Sequence, residues 1–167
     1  MYARDREWAD RFLPTLRQLI GRHLLEPSSL EQDRQEVCDL VVLRARDVTI
    51  GCRVRRMGYR DRYPNQFTIR SRRDTGAVTE LRKIVDGWGD WLFYGHALDD
   101  AEIAIDPWWL IDLSAFRAQL TRHHYELAHR RPGFLRFAQQ SNGDGTHFHW
   151  FDIASFKAEP KLLIAAS

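Results

Sequence analysis

The chain has 167 residues, of which 44% are hydrophobic and 12% aromatic, and its formal net charge at neutral pH is +2. This length suits one domain with a proper hydrophobic core, and the composition excludes an intrinsically disordered chain. The sequence has no apolar run of the roughly 20 residues that a transmembrane helix needs, and its first ten residues lack the apolar segment of a signal peptide. A single cytoplasmic domain over residues 1–167, without a membrane partner, is therefore expected.

The first predicted element is an amphipathic helix over residues 7–24, because apolar side chains recur there at three- and four-residue steps. Pro14 interrupts the pattern and is expected to split the helix. Two segments rich in β-branched residues follow, 37–44 and 48–56. The three residues between them are few enough to predict an antiparallel hairpin.

Alternation along residues 48–56 separates basic from apolar side chains. It places Arg53 and Arg55 on one face and, on the other, Ile50, Cys52 and Val54. A third strand is predicted over residues 66–71, where Gln66, Thr68 and Arg70 would share one face. Close to Arg53 and Arg55, these side chains would form a polar cluster able to hold a phosphate, or simply an exposed face of the sheet.

The rest of the chain continues the mixture of helices and strands. A helix is predicted over residues 78–86, a strand over 91–97, and one strand or a strand pair from 103 to 113. Residues 114–131 predict a second long helix with Ser114 as its N-cap. The sequence Asn142-Gly143-Asp144-Gly145 predicts a tight hairpin turn before a last strand over residues 146–153.

Charge is spread unevenly over these elements. Residues 44–73 contain only Asp47 and Asp61 as acids, against Arg44, Arg46, Arg53, Arg55, Arg56, Arg60, Arg62, Arg70, Arg72 and Arg73. A local basic field of this kind is typical of a phosphate-binding face. The alternative is a solvated surface whose arginines form salt bridges with the acidic stretch at residues 99–106.

The sequence Gly87-Trp88-Gly89-Asp90-Trp91 is the most unusual in the chain, with glycines on both sides of a tryptophan. It indicates close backbone packing or an unusual turn. Trp88 and Trp91 are expected to fill the sheet edge against the first helix. The alternative is an aromatic side chain that stacks on an unpaired base.

The order of predicted elements over the first hundred residues resembles the PD-(D/E)XK, or restriction-endonuclease-like, superfamily, especially its small phage and prophage proteins. The resemblance rests on Asp39 at the head of DLVVL and on the stretches IGCRVRR, QFTIRS, TGAVTELRKI and GWGDWLFYG. It implies an α/β (α+β) fold with an αβββαβ core around a central mixed sheet, extended by a C-terminal helix and strand.

The same resemblance implies a catalytic site in which carboxylates hold Mg²⁺ and a lysine activates water. Asp39 would stand for the family's aspartate and metal ligand. The family's Glu-x-Lys is replaced by Gly51-Cys52-Arg53 or Arg53-Val54-Arg55, so a second acid is missing there. Glu80 and Asp90 are the other catalytic candidates.

The leading hypothesis is a nucleic-acid-binding domain, with DNA as the expected partner and cleavage as a vestigial activity. Its predicted contacts are Arg53, Arg55, Gln66, Arg70 and Arg72. One alternative is a protein-interaction module on the same fold, and another is an active Mg²⁺-dependent nuclease, the case in which Mg²⁺ would be the cofactor. The oligomeric state is left open, with a homodimer as one option.

Overall fold

A computed structural model of the chain describes residues 7–22, 25–27, 40–42, 48–99 and 103–167. The first of these segments contains the predicted N-terminal helix in two pieces. Residues 7–10 are helical, a turn follows, and helix α1 (Leu13–Gly21) begins directly before Pro14. Because proline has no N–H to donate, it is tolerated in the first turn of a helix. The predicted split at Pro14 is confirmed.

Short elements alternate along the rest of the described chain. The helices after α1 are α2 (Tyr59–Arg62), α3 (Glu80–Val85) and α4 (Leu113–Ala128), followed by a 3₁₀ turn at Ile153–Ser155. The strands are β1 (Leu25–Pro27), β2 (Leu40–Val42), β3 (Ile50–Arg55), β4 (Gln66–Arg73), β5 (Trp91–Ala97), β6 (Ile105–Asp112), β7 (Phe137–Ser141), β8 (Thr146–Asp152) and β9 (Leu163–Ala166).

These strands form a two-stranded, a four-stranded and a three-stranded sheet. β1 and β2 pair antiparallel. The four-stranded sheet has the order β3-β5-β6-β9, with β3 parallel to β5 and the other neighbours antiparallel. The three-stranded sheet has the order β4-β8-β7 and is antiparallel throughout. The chain is therefore a mixed α and β protein, as predicted.

The four-stranded sheet is the central layer, with a hydrophobic cluster on each face. On one face, Trp91, Phe93 and Leu110 pack with the N-terminal helical residues Phe12, Leu16 and Ile20. On the other face, Leu92, Tyr94 and Ile111 pack with Phe67, Ile69 and Phe151 of the three-stranded sheet and with Phe116 of α4. Alternate residues of β5 thus serve opposite faces, as the period-two geometry of a strand requires.

The sheet arrangement expected from the resemblance is corrected by these pairings. The elements do follow the order helix, three strands, helix, strand, with β1 and α2 as additions. Within the described residues, however, β2 pairs with β1, β3 with β5, and β4 with β8, so the three successive strands lie in three different sheets. The predicted hairpin and single central sheet are wrong. A short connection favours a local hairpin, but here burial of both faces of β5 selects partners distant in sequence.

Two further expectations change at element ends. The N-cap of α4 is Asp112 rather than Ser114: the Asp112 Oδ1 atom accepts hydrogen bonds from the backbone N–H groups of Ser114 at 2.7 Å and Ala115 at 3.0 Å. An aspartate whose carboxylate meets two free N–H groups of the first turn is a strong cap. The segment 103–113 contains the single strand β6, and β7 and β9 were not predicted.

None of the helices described is long and apolar enough to cross a membrane.

Candidate binding surface: a basic cleft and an aromatic pocket

One ion pair joins β3, β4 and α3. The guanidinium group of Arg53 donates hydrogen bonds to Thr68, at 2.9 Å to the backbone oxygen and 3.4 Å to Oγ1, and it also pairs with the Glu80 carboxylate. The same carboxylate oxygen of Glu80 accepts a hydrogen bond from the backbone N–H of Arg70 at 3.1 Å. These contacts fix the two strands at their junction, and a hollow opens on each side of it.

The first hollow, called the basic cleft here, has a volume of about 530 Å³. It lies between β3, β4, α3 and the segment 88–92. Four of its lining residues are cationic and one is acidic, namely Arg53, Arg70, Arg73, Lys83 and Glu80. Glu80 is paired with Arg53, so the positive charges of the other three cations give the cleft a net positive charge.

Three of these cations form no side-chain hydrogen bond or ion pair within the described residues. In the part of the chain that the structure describes, no side chain forms a hydrogen bond or ion pair with the charged groups of Arg70, Arg73 or Lys83. Burial is the main cause that lowers the pKa of Arg70, and the positive charges of Arg53 and Arg73 lower it further, against a smaller opposing effect of the Glu80 and Asp144 carboxylates. A guanidinium keeps its proton at neutral pH all the same, so an anion in the cleft would relieve this repulsion.

Trp88 lies at the rim of the basic cleft with 72% of its surface exposed. Its neighbours Gly87 and Gly89 have φ angles of 98° and 78°, a left-handed conformation that glycine adopts without a steric penalty. The predicted unusual turn is therefore confirmed. The expectation that both tryptophans fill the sheet edge is right for Trp91, which is buried in the cluster around Phe12, and wrong for Trp88.

The second hollow, called the aromatic pocket here, has a volume of about 240 Å³. It is lined by side chains from both larger sheets and from α2: Arg55, Tyr59, Arg62, Tyr63, Gln66, Thr68, Tyr94, His96, Gln140, Ser141, Asn142, Phe148 and Trp150. In the three-stranded sheet Thr68 lies opposite Trp150, and Arg70 lies opposite Phe148. These residues share the sheet face that points away from the core residues Phe67 and Ile69.

His96 is the buried member of this pocket. It is 1% exposed, and neither of its ring nitrogens forms a hydrogen bond within the segments that the structure describes. Burial lowers the pKa of His96 to about 4, with smaller contributions from the positive charges of Arg55 and Arg60. At neutral pH the imidazole is therefore uncharged and offers one unused donor and one unused acceptor.

The five predicted nucleic-acid contacts are divided between three places. Arg53 and Arg70 line the basic cleft. Arg55 and Gln66 line the aromatic pocket, where the Arg55 guanidinium lies 4.1 Å from the ring centroid of Tyr59. Arg72 lies in neither hollow and instead pairs with Asp74 at 2.9 Å.

Two cleft residues, Arg73 and Lys83, were not among the predicted contacts. Arg73 belongs to the arginine-rich stretch, so the sequence indicated its contribution to the basic charge but not its place in the cleft. Lys83 follows Glu80 by three residues on α3, and one helical turn brings both into the cleft. Only the packing of α3 beside β4 could reveal that relationship.

The predicted catalytic carboxylates are engaged in structural contacts or lie outside the described residues. Glu80 pairs with Arg53, and Asp90 Oδ2 accepts hydrogen bonds from Thr49 N and Oγ1, both at 2.9 Å. Asp39 lies outside the described residues. The described segments contain no group of three or more His, Cys, Asp or Glu side chains able to hold a metal ion. Glu80 and Asp90 as placed do not fit the several free oxygen ligands that Mg²⁺ requires.

The chain matches no protein-family model, and comparisons with curated proteins and with solved structures also give no match. The likeness to the PD-(D/E)XK superfamily therefore depends on the sequence stretches that suggested it. A function for this chain has to be argued from the two hollows.

Proposed function

We propose that the protein binds nucleic acid, and that the basic cleft holds the phosphates. The observation that carries this proposal is the group of three cations around one cleft, Arg70, Arg73 and Lys83, whose charged groups form no hydrogen bond or ion pair with any side chain that the structure describes. Phosphate oxygens are suitable partners because guanidinium groups bind them through two parallel hydrogen bonds and lysine binds them as a point charge. DNA is the first nucleic acid to test, with RNA as the comparison.

The Arg53–Glu80 pair has a different role in this proposal. Arg53 already uses its donors on Glu80 and Thr68, so it holds the cleft wall in place while its neighbours contact the ligand. Contacts between cations and the sugar-phosphate backbone fix the position of a nucleic acid but do not distinguish its base sequence. Binding through the cleft is therefore expected to be strongly salt dependent and weakly sequence dependent.

The exposed indole of Trp88 favours unpaired strands. An aromatic side chain beside a basic groove is the usual arrangement for single-stranded nucleic acid, because every base can stack on it. Trp88 lies at the rim of the cleft, where a base attached to a bound phosphate can reach it. We therefore expect single strands to bind more tightly than duplexes.

The test is a triple variant, Arg70→Ala/Arg73→Ala/Lys83→Ala. Affinity for a labelled single-stranded oligonucleotide is measured by fluorescence anisotropy between 50 and 200 mM salt, a range over which phosphate contacts weaken steeply. We expect more than a tenfold loss at low salt. The slope of log K against log salt should fall by about 2, since each lost contact to a single strand removes about 0.7.

A matched control removes the same charge elsewhere. Arg72, Arg82 and Arg131 pair with Asp74, Asp86 and Glu126 and do not line the cleft. Replacing all three arginines with alanine should cost much less affinity than the cleft variant. Equal losses in the two variants would mean that net charge alone drives binding, and the cleft would not be the site.

A second candidate function is supported by the surface next to Trp88. Val78 and Val85, at the two ends of the α3 region, are 66% and 51% exposed. Together with Trp88 they give an apolar surface of the kind that contacts a protein partner. Absence of oligonucleotide binding by the wild-type protein at 50 mM salt would favour this protein-interaction role over nucleic-acid binding.

A further inference from the structure

We propose that the aromatic pocket binds one nucleobase and that Arg55 and Arg62 hold the phosphate attached to it. This inference rests on the proposed function, because it assigns the base contact of the same nucleic-acid surface. The base could belong to a strand in the basic cleft or to a free nucleotide, and the experiment below separates the two.

The depth of the pocket fits a flat ring. Its floor consists of buried residues, Thr68, Tyr94 and His96, and its outer wall consists of exposed residues of the α2 region, Tyr59, Arg62 and Tyr63. Phe148 and Trp150 supply further aromatic surface from β8. The volume of 240 Å³ is below the roughly 300–1,000 Å³ of pockets for drug-sized molecules, so one ring system suits it better than a larger ligand.

The hydrogen-bonding groups of the pocket match a heterocycle with both donors and acceptors. The neutral His96 ring offers one of each, and neither is used within the protein. The Gln66 and Gln140 amides also line the pocket and can donate and accept. A buried polar group without a partner costs free energy, so a ligand that satisfies His96 gains it back. The edge of a nucleobase carries donors and acceptors side by side.

The charges around the pocket select against a cation. Arg55 and Arg62 line it, and none of the described residues that line it is Asp or Glu. Arg55 stacks on Tyr59, so its guanidinium stands at the wall where the anionic part of a ligand would emerge. A nucleotide would fit this arrangement with its base inside the pocket and its phosphate beside the arginines at the wall.

The position of the pocket connects it to the basic cleft. Arg53 lines the cleft, Thr68 lines the pocket, and a 2.9 Å hydrogen bond joins them. A strand that crosses this junction would leave phosphates in the cleft and place one base in the pocket. The pocket would then add base-dependent affinity to the phosphate-dependent affinity of the cleft.

The first experiment compares a single-stranded oligonucleotide with an oligomer of the same length that has the sugar-phosphate backbone but no bases. It is done on the Trp88→Ala protein, because Trp88 would supply a separate base contact. We expect the oligonucleotide to bind about tenfold more tightly, since stacking one base typically contributes this much. Adding His96→Phe or Gln140→Ala should remove most of that preference and leave the affinity for the baseless oligomer and its salt slope unchanged.

A matched control is Gln139→Ala. Gln139 precedes Gln140 on β7 and is exposed like it, but it points to the other face of the strand and does not line the pocket. It should keep the preference. If His96→Phe fails to fold, the surface variant Gln140→Ala still decides the question.

The second experiment adds each of the four deoxynucleoside monophosphates to the wild-type protein and follows the imidazole NMR signals of His96, assigned by their loss in His96→Phe. A saturable shift is expected. Equal affinity for the oligomers with and without bases, together with an unmoved His96, would overturn this inference and leave the proposed function intact. A His96 shift without binding of either oligomer would overturn the proposed function and identify the pocket as a site for a free nucleotide.

Discussion

The basic cleft and the aromatic pocket share one wall and differ in what they leave unsatisfied. In the cleft the unused groups are the charged ends of Arg70, Arg73 and Lys83, which water can reach. In the pocket the unused groups are the ring nitrogens of the buried, neutral His96. A solvated charge costs little stability in the free protein, whereas a buried polar group without a partner costs considerably more. The pocket, and not the cleft, should therefore lower the unfolding free energy of the free protein.

The two hollows also differ in the distance over which they act on a ligand. Attraction by the cleft acts over about 10 Å at 0.1 M salt and weakens as salt rises. Contacts with the base in the pocket act only on a ligand already inside it and depend little on salt. Stability, salt and pH measurements can therefore address each hollow separately.

The largest expected effect concerns His96 and pH. Its pKa is about 4 in the folded protein and near 6.5 when unfolded, so the unfolded chain binds more protons between these values. Stability should therefore be full above pH 6.5 and fall as the pH drops toward 4, by about 2–3 kcal/mol from this residue. Urea unfolding at pH 7 and pH 4.5 measures the loss, and His96→Phe should remove it.

Other histidines set the control for this prediction. Burial also lowers the pKa of His123 and His149, so some loss of stability at low pH should remain in His96→Phe. The part of the loss that disappears in His96→Phe is therefore the part that His96 contributes. An unchanged pH dependence in His96→Phe would refute the role given to its burial.

A smaller effect is expected at the wall that separates the two hollows. Arg53→Gln removes the donor of the Thr68 carbonyl and leaves Glu80 only the Arg70 N–H, and we expect a loss of about 2 kcal/mol in unfolding free energy. Glu80→Gln should cost roughly half of that by the same hydrogen-bond accounting, because the amide oxygen can still accept from the Arg70 N–H. Denaturant midpoints of both single variants and the double variant measure the coupling. A coupling near zero would show that the pair does not hold the wall.

Trp88 should affect binding and not stability. Trp88→Ala is expected to weaken binding of a single strand about fivefold to tenfold, or roughly 1 kcal/mol, by loss of stacking. Its unfolding free energy should change by less than about 0.5 kcal/mol, because the side chain is exposed. A buried tryptophan that lines neither hollow provides the opposite control: Trp108→Phe should lower stability and leave affinity unchanged. A loss of stability in Trp88→Ala would mean that the indole packs against the protein.

The smallest expected effect is cleavage. Glu80 and Asp90 are engaged by Arg53 and Thr49, and cations surround the cleft, so a divalent ion should bind poorly there. We expect no cleavage of labelled single-stranded or duplex DNA in Mg²⁺ or Mn²⁺. Cleavage by the wild type that disappears in Asp39→Ala would contradict this and favour the active-nuclease alternative.

Sequence patterns predicted the features that depend on a few neighbouring residues. The bounds of β5, the split at Pro14, the hairpin turn at residues 142–145 and the alternation of Arg53 with Val54 all follow from local spacing. β7 and β9 were missed because FAQQS is mostly polar and LIAA has only four residues, so neither gives a clear period of two.

The sheet partners and the two hollows could not be predicted in this way. The pairing of β4 with β8 joins residues from opposite halves of the chain, and no local pattern encodes it. His96 shows the limit most clearly: its burial is consistent with an apolar strand, but its unused nitrogens depend on residues of α2, β4 and β7 that surround it. The exposure of Trp88 likewise depends on what packs beside it.

β4 is an outer strand of its sheet, and three of its backbone groups are hydrogen-bonded to side chains. Arg53 donates a hydrogen bond to the Thr68 carbonyl, and the Glu80 carboxylate accepts one from the Arg70 N–H. The Thr79 hydroxyl donates one to the Ser71 carbonyl at 2.9 Å. An outer strand with unpaired backbone groups is a template on which another chain can add a strand and begin to aggregate. Arg53, Glu80 and Thr79 therefore occupy backbone groups of β4 to which another strand would otherwise add.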